Sequence, residues 1–598
     1  MELVSPNDIV KAFPILDHPG GEHLASLILK MMKLDRINRF YDQTKGLPAM
    51  AFIDEIISTL RIRYEIAPGE IQNIPQKGPF ITVSNHPYGG LDGIILLKIL
   101  PAVRPDFKVL MNFLLARVKP IENYSLRVNP FEKMPGMQSS YGGLKEAIAW
   151  LGEGHAMGLF PAGEVASFKL KTGTVTDKQW PHSILKLIRK ARVPVVPVHF
   201  DGHNSLQFQL LGMLHPMMRT ASLPSELFNK SGKTIGVRIG RPVSVREQDK
   251  LGDIAEFGRY LRMRTFSLGI PSEKHLKIWS FSHGNAQEVA EVGPRYAIEK
   301  EIEQLKNDSI LFSLGDHMVF SARAEQIPAI MQELGRLREI TYREVGEGTG
   351  KPFDIDEFDR YYDQLFIWND RENMIIGGYR IGFGNRIMKE SGIRGFYIST
   401  LFHISDKFAP VLELSMELGR SFIIRSYQKK PLSLFLLWKG ILNLLCSHPE
   451  LRYLIGPVSI SNEFRDLSKT LTVAFLRKNF YNREYGALLK PRKRFIGKIN
   501  PVIKKKVFHK VTGNSLSRLD NFIQAFDPGF QAPVLLKKYL SVNAEVIGFN
   551  VDPNFNNCLD VLIITDVLDI PAETIRSLSK EVTDNSVSDR FFQDNKSR

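Results

Sequence analysis

The chain has 598 residues, of which 43% are hydrophobic and 24% charged, so it is rich enough in apolar residues to exclude a disordered protein. At ordinary domain sizes this length predicts about three domains or subdomains. The formal net charge of +15 favours a nucleic acid or an anionic membrane surface as partner, but neither zinc-finger spacing nor an RNA-binding aromatic motif accompanies it. We therefore expect no nucleic-acid partner and keep lipid surfaces and plain solubility as explanations.

Cysteine usage and hydropathy limit the cellular setting. Cys446 and Cys558 lie far apart and away from likely metal ligands, which predicts neither disulfides nor a zinc site. The first residues lack the pattern of a secretory signal, and no run of about 18 apolar residues occurs. We expect a cytoplasmic protein, associated peripherally with the inner face of the cytoplasmic membrane, that needs no cofactor and no metal.

The first half of the chain predicts helices and then an α/β sheet. Residues 1–74 form a predicted helical region, with apolar residues at helical spacing in 22–40 and 51–65. From 75 to 310 strands alternate with helices, which is typical of a sheet covered on both faces. The predicted strands are 79–84, 107–111, 156–160, 193–200 and 234–239, and the predicted helices are 91–100, 142–152 and 183–191, with further helices to about 306.

A histidine follows the first predicted strand of this sheet, in Ser84-Asn-His86-Pro-Tyr-Gly89-Gly90-Leu-Asp92. The carboxyl ends of strands are where open α/β sheets bind ligands. An aspartate shortly after the histidine can accept an imidazole N–H and stabilise the imidazolium while the other nitrogen takes a proton. A histidine that only caps a turn is the alternative interpretation of these residues alone.

These residues resemble those of the glycerolipid acyltransferase superfamily, which has the lysophosphatidic acid acyltransferase-like fold. That family has Asn-His and then an Asp after four residues; here five intervene, as in a branch of bacterial proteins named haemolysins. A Phe-Pro-Glu-Gly-Thr block is altered to Phe160-Pro161-Ala-Gly163-Glu164, and a Val-Pro-Val-Val-Pro strand ends at Pro197. The resemblance implies catalysis by His86 and Asp92, with substrate-binding residues in these blocks: Asn85, Gly89, Gly90, Phe160, Pro161, Gly163, Glu164 and Pro197.

The implied reaction is acyl transfer, in which His86 is the general base on an acceptor hydroxyl that attacks a thioester, while Asp92 orients the imidazole. Backbone N–H groups near Gly163 or Gly89 are candidates for stabilising the oxyanion. Ala166 stands where phosphate-binding relatives commonly have an arginine, and the nearest cation is Lys169. This substitution favours an acceptor that lacks a glycerol phosphate.

After a break near 305–316, residues 317–580 predict a second domain of α+β type. A helix at 325–340 and an acidic stretch, Asp354-Ile-Asp-Glu-Phe-Asp359, precede a predicted strand pair. The motif Glu417-Leu-Gly-Arg420 is predicted to lie directly before an apolar strand, at a sheet edge. The predicted strands are 364–368, 374–381, 421–424 and 453–459, and a long helix is predicted at 432–446.

This second domain resembles the N-acyltransferases of amino-acid-containing lipids, such as ornithine lipid synthases, which are relatives of acyl-homoserine-lactone synthases in the GNAT-like fold. The resemblance implies that Glu417 takes a proton from an attacking amine and that Arg420 holds the acidic stretch or the acceptor carboxylate. The glycine-rich phosphate loop of typical acetyltransferases is replaced by Lys429-Lys-Pro-Leu. A surface ion-pair network is the alternative for the matching substrate-binding residues, which are Arg338, Arg343, Asp356, Asp359, Asp363 and Arg380.

Two acyltransferases on one chain predict consecutive steps in aminolipid synthesis: N-acylation of an amino acid with a 3-hydroxyacyl group, then O-acylation of the 3-hydroxyl. Expected partners are an acyl carrier protein or a CoA thioester, and membrane lipids, with the oligomeric state open. A basic tract at 490–494 and 504–506 is either solvated surface or a contact for anionic lipids or an acidic carrier. Alternatives are lysophospholipid acylation with a degenerate second domain, a non-catalytic lipid-binding or carrier-binding protein, and a membrane-lysing toxin.

Overall fold

The computed structural model describes most of the chain, in two compact units. The units are Met1–Pro271 with Asn500–Gly513, and Ser272–Ile499 with Asn514–Arg598. Among the described residues, no helix is both long and apolar enough to cross a membrane. The described residues are 34–112, 118–128, 141–169, 174–209, 225–269, 287–497, 512–524 and 531–579, together with 20–23, 25, 26, 222, 223, 508, 509, 527 and 591.

The first unit contains a seven-stranded sheet in the order β1-β9-β8-β2-β5-β3-β4, parallel except between β8 and β9. Two further short strands, β6 and β7, form a separate hairpin. The strands are β1 (Arg63–Ile66), β2 (Phe80–Ser84), β3 (Lys108–Asn112), β4 (Ser125–Val128), β5 (Ala156–Leu159), β6 (Ser167–Lys169), β7 (Thr174–Thr176), β8 (Val195–Phe200) and β9 (Thr234–Ile239).

Apolar helices cover this sheet. The helix after β2 carries almost only apolar residues, because it is buried against the sheet: Ile95, Leu96 and Leu100 are fully covered. The α/β prediction for this half is therefore confirmed. The helices are α1 (Leu34–Thr44), α2 (Ala49–Thr59), α3 (Gly90–Val103), α4 (Tyr141–Gly152), α5 (His182–Ala191), α6 (Val245–Asp249) and α7 (Ile254–Ser267).

The N-terminal region differs from its prediction at one end. Helix α2 ends at Thr59 rather than continuing to residue 65, because Arg61 adopts a left-handed backbone (φ 50°). The residues that follow form β1, which pairs in parallel with β9, a partner more than 160 residues away. Periodicity in sequence does not report such a partner. The predicted helix at 22–40 falls partly outside the described residues.

The second unit contains an eight-stranded sheet in the order β10-β11-β12-β13-β15-β16-β19-β18 and a two-stranded sheet of β14 and β17. All neighbouring strands are antiparallel except β15 and β16. The strands are β10 (Ile310–Leu314), β11 (His317–Arg323), β12 (Asp363–Asn369), β13 (Met374–Phe383), β14 (Phe402–Ile404), β15 (Ser415–Ile423), β16 (Tyr453–Ile460), β17 (Leu489–Pro491), β18 (Glu545–Asp552) and β19 (Cys558–Asp566).

Helices pack on this mixed sheet, as the α+β prediction requires. The apolar helix after β15 buries Leu436, Leu437 and Ile441 and lies over β11, β12 and β13. The helices are α8 (Arg295–Asp308), α9 (Pro328–Arg343), α10 (Gly384–Ser391), α11 (Ala409–Glu413), α12 (Pro431–Ser447), α13 (Asp466–Asn479), α14 (Arg483–Ala487), α15 (Leu516–Gln524), α16 (Val534–Ser541) and α17 (Ala572–Leu578).

The two compact units are divided at another place than the predicted break, and the predicted domain bounds stay predictions. The second unit begins at Ser272, before the predicted break at 305–316, and residues 500–513 belong to the first unit. Helix α8 is part of the second unit because Glu301 accepts hydrogen bonds from the first backbone N–H groups of α9, those of Ala329 and Ile330. The hairpin β10–β11, which follows at once, was not predicted from the sequence.

Candidate functional site

His86 and Asp92 are brought together by the turn that leads from β2 into α3. The imidazole Nδ1 lies 3.0 Å from Asp92 Oδ2, and the same oxygen accepts the backbone N–H groups of Tyr88 and Gly89 at 2.9 and 3.1 Å. Asp92 is fully buried, whereas the His86 side chain stays 18% exposed. Burial raises the pKa of Asp92, although the hydrogen bonds from His86 and the backbone lower it in part. Asp92 therefore orients the imidazole through Nδ1, and Nε2 is the ring nitrogen that can accept a proton.

His86 is held through its backbone carbonyl and through one face of its ring. Its backbone carbonyl accepts the N–H of Ala166 at 2.8 Å, and its ring stacks on Phe160 at 4.2 Å between centroids. Asn85, one residue earlier, exchanges two hydrogen bonds with the backbone of Phe200, at 2.9 and 2.7 Å. Asn85 thus ties the end of β2 to the end of β8.

Gly89 occupies a position that only glycine fits. Its φ is +85°, and a Cβ there would stand 3.1 Å from Leu223 Cδ2 and 3.3 Å from Val165 Cγ2. Gly90 begins α3, so the amino end of this helix lies beside the histidine. Pro197 lies in β8 opposite Val83, and its role in substrate binding stays a prediction.

The altered second block lies close to the histidine, and the oxyanion donors expected near Gly163 or Gly89 stay a prediction. Phe160 stacks on His86 and Pro161 is buried beside it. Glu164 pairs with Lys178 at 3.2 Å. The N–H of Gly163 is donated to Phe160 O at 3.0 Å and that of Gly89 to Asp92, so both amides are already used within the fold.

Sequence reasoning missed one buried carboxylate next to the histidine. Asp177 follows β7, and its Oδ1 accepts the backbone N–H of His86 at 3.2 Å. It is 2% exposed, and burial raises its pKa to about 6, even though His86 and Arg262 counteract the rise. Asp177 lies 91 residues from His86 in a segment without a motif, so only the fold brings the two together.

In the second unit the acidic stretch is paired with three buried arginines. Asp359 binds Arg338 at 2.9 Å and Arg380 at 3.3 Å. Burial alone would raise the pKa of Asp359, but these two guanidinium groups hold it well below its usual range. Asp356 pairs with Arg380 and also with Arg420, the latter at 3.1 Å. The predicted residues Arg338, Asp356, Asp359 and Arg380 thus form one cluster, in which Asp356 is partly exposed and the other three are buried.

Two predicted residues lie outside this cluster. Arg343 binds the fully buried Glu339 at 2.7 Å and donates to the backbone carbonyls of Gln287 and Lys351, so it anchors the loop after α9. Asp363 pairs with Arg386 at 2.6 Å. Both residues therefore belong to ion pairs that are separate from the cluster.

Glu417 lies in the interior of the sheet, not at its edge, and the prediction that it directly precedes a strand was wrong. Strand β15 begins at Ser415 and runs between β13 and β16. Glu417 accepts the hydroxyl of Tyr362 and the backbone N–H groups of Tyr397 and Ile398, the latter two at 3.1 and 2.9 Å. Burial raises its pKa. An amine would have to displace one of these donors to reach the carboxylate directly.

Arg420 sits at a bulge of β15 in a left-handed conformation (φ 49°). Between the pairs Arg380–Gly419 and Gly378–Phe422, β15 has one residue more than β13. The guanidinium binds Asp354 at 2.8 Å and donates to Tyr397 Oη at 3.1 Å. Arg420 therefore holds the acidic stretch, as predicted, and Tyr397 joins it to the loop that Glu417 fixes. Neither Tyr362 nor Tyr397 carries a signal in the sequence.

A cleft opens where β15 and β16 part. The two strands pair only from Ser415–Tyr453 to Glu417–Ile455, after which β15 continues beside β13 and β16 beside β19. Gly456 allows the close approach at this point, since a Cβ there would stand 2.1 Å from Leu418 O. The residues that line the cleft are Tyr379, 418–421, 456, 457, Leu535 and Tyr539.

Cofactor binding stays a prediction. Among the described residues, no group of three or more His, Cys, Asp or Glu side chains has the arrangement of a metal site. The arginine cluster is internally paired, and Arg420 of that cluster also lines the cleft, together with hydroxyl, backbone and apolar groups. The arrangement thus offers a proton acceptor in the first unit and a slot between strands in the second.

Comparisons with known families also find two different domains, one in each unit. Residues 11–272 match the family described as Acyltransferase, and residues 337–439 match the Acetyltransferase (GNAT) domain. The first match includes His86, Asp92 and Asp177, and the second includes the arginine cluster and the start of α12. Both resemblances inferred from the motifs are confirmed.

Relatives of both kinds are found in Bacteroides thetaiotaomicron. A glycine N(alpha)-acyltransferase is 31% identical over 251 residues, which cover 40% of this chain and 74% of the relative. A lyso-glycine lipid O-acyltransferase is 27% identical over 261 residues, which cover 41% of this chain and 89% of the relative. The crystal structure of a 1-acyl-sn-glycerophosphate acyltransferase from Thermotoga maritima overlaps with a TM-score of 0.24 at 16% identity, over 40% of this chain and 84% of that one. The 31% identity to the glycine N(alpha)-acyltransferase, over 74% of that relative, places the chain in the family of that acyltransferase, and the chain is an enzyme with an acyltransferase domain and a GNAT domain on one polypeptide.

Proposed function

We propose that the chain makes a diacylated glycine lipid in two consecutive acyl transfers. In the second unit, the amine of glycine attacks a 3-hydroxyacyl thioester, an amide bond forms and the thiol leaves. In the first unit, the 3-hydroxyl of that product attacks a second thioester, an ester forms and another thiol leaves. The proposal rests on the His86–Asp92 pair and the β15–β16 cleft in separate units, together with relatives named for each of the two reactions.

In the O-acyl transfer, His86 takes the proton of the attacking hydroxyl at Nε2. Its Nδ1 is bound to the buried Asp92 at 3.0 Å, which fixes the tautomer and stabilises the imidazolium. His86 then returns the proton to the thiolate as the tetrahedral intermediate collapses. Since the N–H groups of Gly89 and Gly163 are occupied, the amino end of α3 is our candidate for stabilising the oxyanion.

In the N-acyl transfer, the cleft beside Arg420 receives the thioester arm. Arg420 and Tyr397 stand at the bulge of β15, next to the cleft residue Gly419. Glu417 fixes the loop that carries Tyr397, and its raised pKa makes it a suitable final acceptor for the amine proton, relayed by a hydroxyl or a water. We propose that Glu417 and Arg420 support amide formation independently of His86.

The acyl donors are thioesters of an acyl carrier protein or of CoA, and the reactions need no further cofactor. The products are membrane lipids, so we propose that the enzyme works at the inner face of the cytoplasmic membrane, held there by its basic surface. Lys490 and Arg494 of the basic tract are exposed, whereas residues 504–506 lie outside the described residues. Arg492 and Lys493 make hydrogen bonds within the fold.

The test separates the two reactions by mutation in a host that lacks the lipid. His86→Ala should abolish O-acylation, because a general base contributes about 10²–10⁴-fold, and the mono-acylated product should accumulate. Glu417→Gln should abolish both products, since the first step supplies the second. Lipid mass spectrometry measures the two species, and purified variants report thiol release with each acceptor.

The melting temperature of each variant is the control for folding. A Glu417→Gln variant that folds and retains full glycine-dependent thiol release removes Glu417 from the reaction and leaves it a structural role. Normal amounts of diacylated lipid from His86→Ala would overturn the proposed O-acylation, and thiol release that depends on lysophospholipid alone would replace it by phospholipid acylation.

A further inference from the structure

We propose that Asp177 is a second carboxylate of the O-acyl transfer site, a positioning residue that fixes His86 through its backbone and stabilises the imidazolium. The inference rests on the proposed function, since it gives Asp177 a role in the reaction that His86 catalyses. It starts from a contact that no motif indicates: the side chain of Asp177 is bound to the peptide N–H of the histidine itself, at 3.2 Å.

The peptide groups of His86 are tied on both sides. Asp177 accepts the N–H, and Ala166 donates to the carbonyl at 2.8 Å. Asp92 holds the ring nitrogen and Phe160 the ring face. A histidine that must reach an acceptor hydroxyl loses rate when it is misplaced by a fraction of an ångström, so a bond to its own backbone acts directly on the reaction geometry.

The negative charge of Asp177 also acts on the site, because Asp177 is buried beside His86. The ionisable groups that act on it are His86 and Asp92 from the β2–α3 turn, and Arg262 from α7. Arg262 donates to the backbone carbonyl of Asp177 at 2.9 Å and to Thr176 Oγ1 at 3.0 Å. The second oxygen of Asp177 has no hydrogen-bond partner among the described residues. In this buried setting the negative charge of Asp177 stabilises the positive charge that forms on the imidazole when His86 accepts the proton of the acceptor hydroxyl.

Asp177→Asn separates charge from geometry, because the amide oxygen can still accept the N–H of His86 while the negative charge is lost. We expect kcat for O-acylation to fall at least tenfold with KM little changed, since the imidazolium forms only during the reaction. The pH dependence of O-acylation should change as well, because Asp177, whose pKa burial raises to about 6, no longer titrates beside the reacting pair. The measurement is thiol release with the mono-acylated glycine acceptor across pH.

Asp106→Asn is the matched control. Asp106 Oδ2 likewise accepts a backbone N–H, that of Ala156 at 3.1 Å, and pairs with an arginine, Arg104, but at the opposite end of the parallel strands. This variant should lose stability and keep the wild-type pH profile. A wild-type profile and kcat in folded Asp177→Asn would overturn the inference, as would an equal loss in both variants. If His86→Ala remains active in O-acylation, the proposed function itself fails.

Discussion

At the scale of residues, the buried carboxylates of Asp92 and Glu417 make different contacts, although burial raises the pKa of both. Asp92 is bound on one oxygen by an imidazole and two peptide N–H groups, and it borders an exposed ring edge. Glu417 is bound on both oxygens by a tyrosine and two peptide N–H groups. The hydrogen-bond partners therefore distinguish the two residues, whereas burial does not: Asp92 orients the imidazole of His86, and Glu417 holds the loop that carries Tyr397.

Glu347 should lower the stability of the second unit at high pH. It is buried, accepts a hydrogen bond from Ser459 at 2.8 Å, and burial raises its pKa from 4.5 to about 7. Between about pH 4.5 and 7 the folded chain keeps a proton that the unfolded chain releases, so stability falls as pH rises. Glu347→Gln keeps the hydrogen bond and should stabilise the chain by up to about 3 kcal/mol above pH 7.

Thermal unfolding of this variant and of the wild type, at a pH below 4.5 and at a pH above 7, measures the effect. Exposed Glu413→Gln is the control, and we expect it to change the melting temperature little at either pH. A stabilisation of Glu347→Gln that is equal at both pH values would contradict the linkage argument, because it could not come from ionisation.

At the scale of elements, β15 combines three features that neighbours in sequence do not explain. It pairs with β16 over three residues, it carries a bulge at Arg420, and it presents Glu417 inward. A parallel pair inside an antiparallel sheet can part in this way because the strands run on beside different partners. The cleft is a consequence of that topology, and Gly456 lies where it begins.

Gly456→Ala should disturb the start of the cleft. The new Cβ would stand 2.1 Å from Leu418 O, so the backbones of β15 and β16 must move apart. We expect a destabilisation of about 1–3 kcal/mol and a loss of N-acylation of at least tenfold in the folded variant, from the shifted thioester slot. Glycine-dependent thiol release and chemical unfolding measure the two effects.

O-acylation by the same variant is the internal reference, because the first unit is unchanged and should keep its rate. Gly293→Ala is the matched substitution, since a Cβ there meets nothing within 4 Å. Wild-type N-acylation in folded Gly456→Ala would show that the cleft does not hold the donor.

At the scale of the whole molecule, the chain joins two units with different sheets, each with its own candidate site. The formal net charge of the chain is +15. Among the described residues, no helix has the length and apolar character needed to cross a membrane. Exposed cations near an anionic surface each contribute about 1 kcal/mol of attraction, and on this ground we propose that the basic tract contributes to membrane binding. Under the proposed function the acceptor and the product of O-acylation are membrane lipids, so such binding would hold the enzyme beside them.

We expect the chain to co-sediment with vesicles that contain anionic lipid. It should be released as the salt concentration rises, because the Debye screening length shortens to about 3 Å at about 1 M salt. Lys490→Glu with Arg494→Glu should weaken binding at moderate salt. The control, Lys389→Glu with Lys407→Glu, alters the net charge equally at exposed positions outside the tract and should bind more tightly than the tract variant. Binding that salt does not change would contradict the electrostatic account.

Much of the architecture was predictable because it follows from local chemistry. Alternating apolar strands and helices indicated the first sheet, and β2, β5, β8 and β9 lie within a residue or two of their predicted bounds. The spacing of His86 and Asp92 predicted their pairing, since one helical turn after a strand confines both to the same sheet end. Family resemblance extended this to both domains, which the comparisons confirm.

Contacts between distant segments were decided only by the folded chain. Strand β1 depends on β9, and the inward position of Glu417 depends on β13 and β16 on either side. Arg343 and Arg338 lie on the same helix, yet one anchors a loop and the other joins the buried cluster. Asp177 meets His86 across 91 residues. Local patterns specify which face of an element is apolar, whereas the partner of a buried polar group depends on which elements the whole core brings side by side.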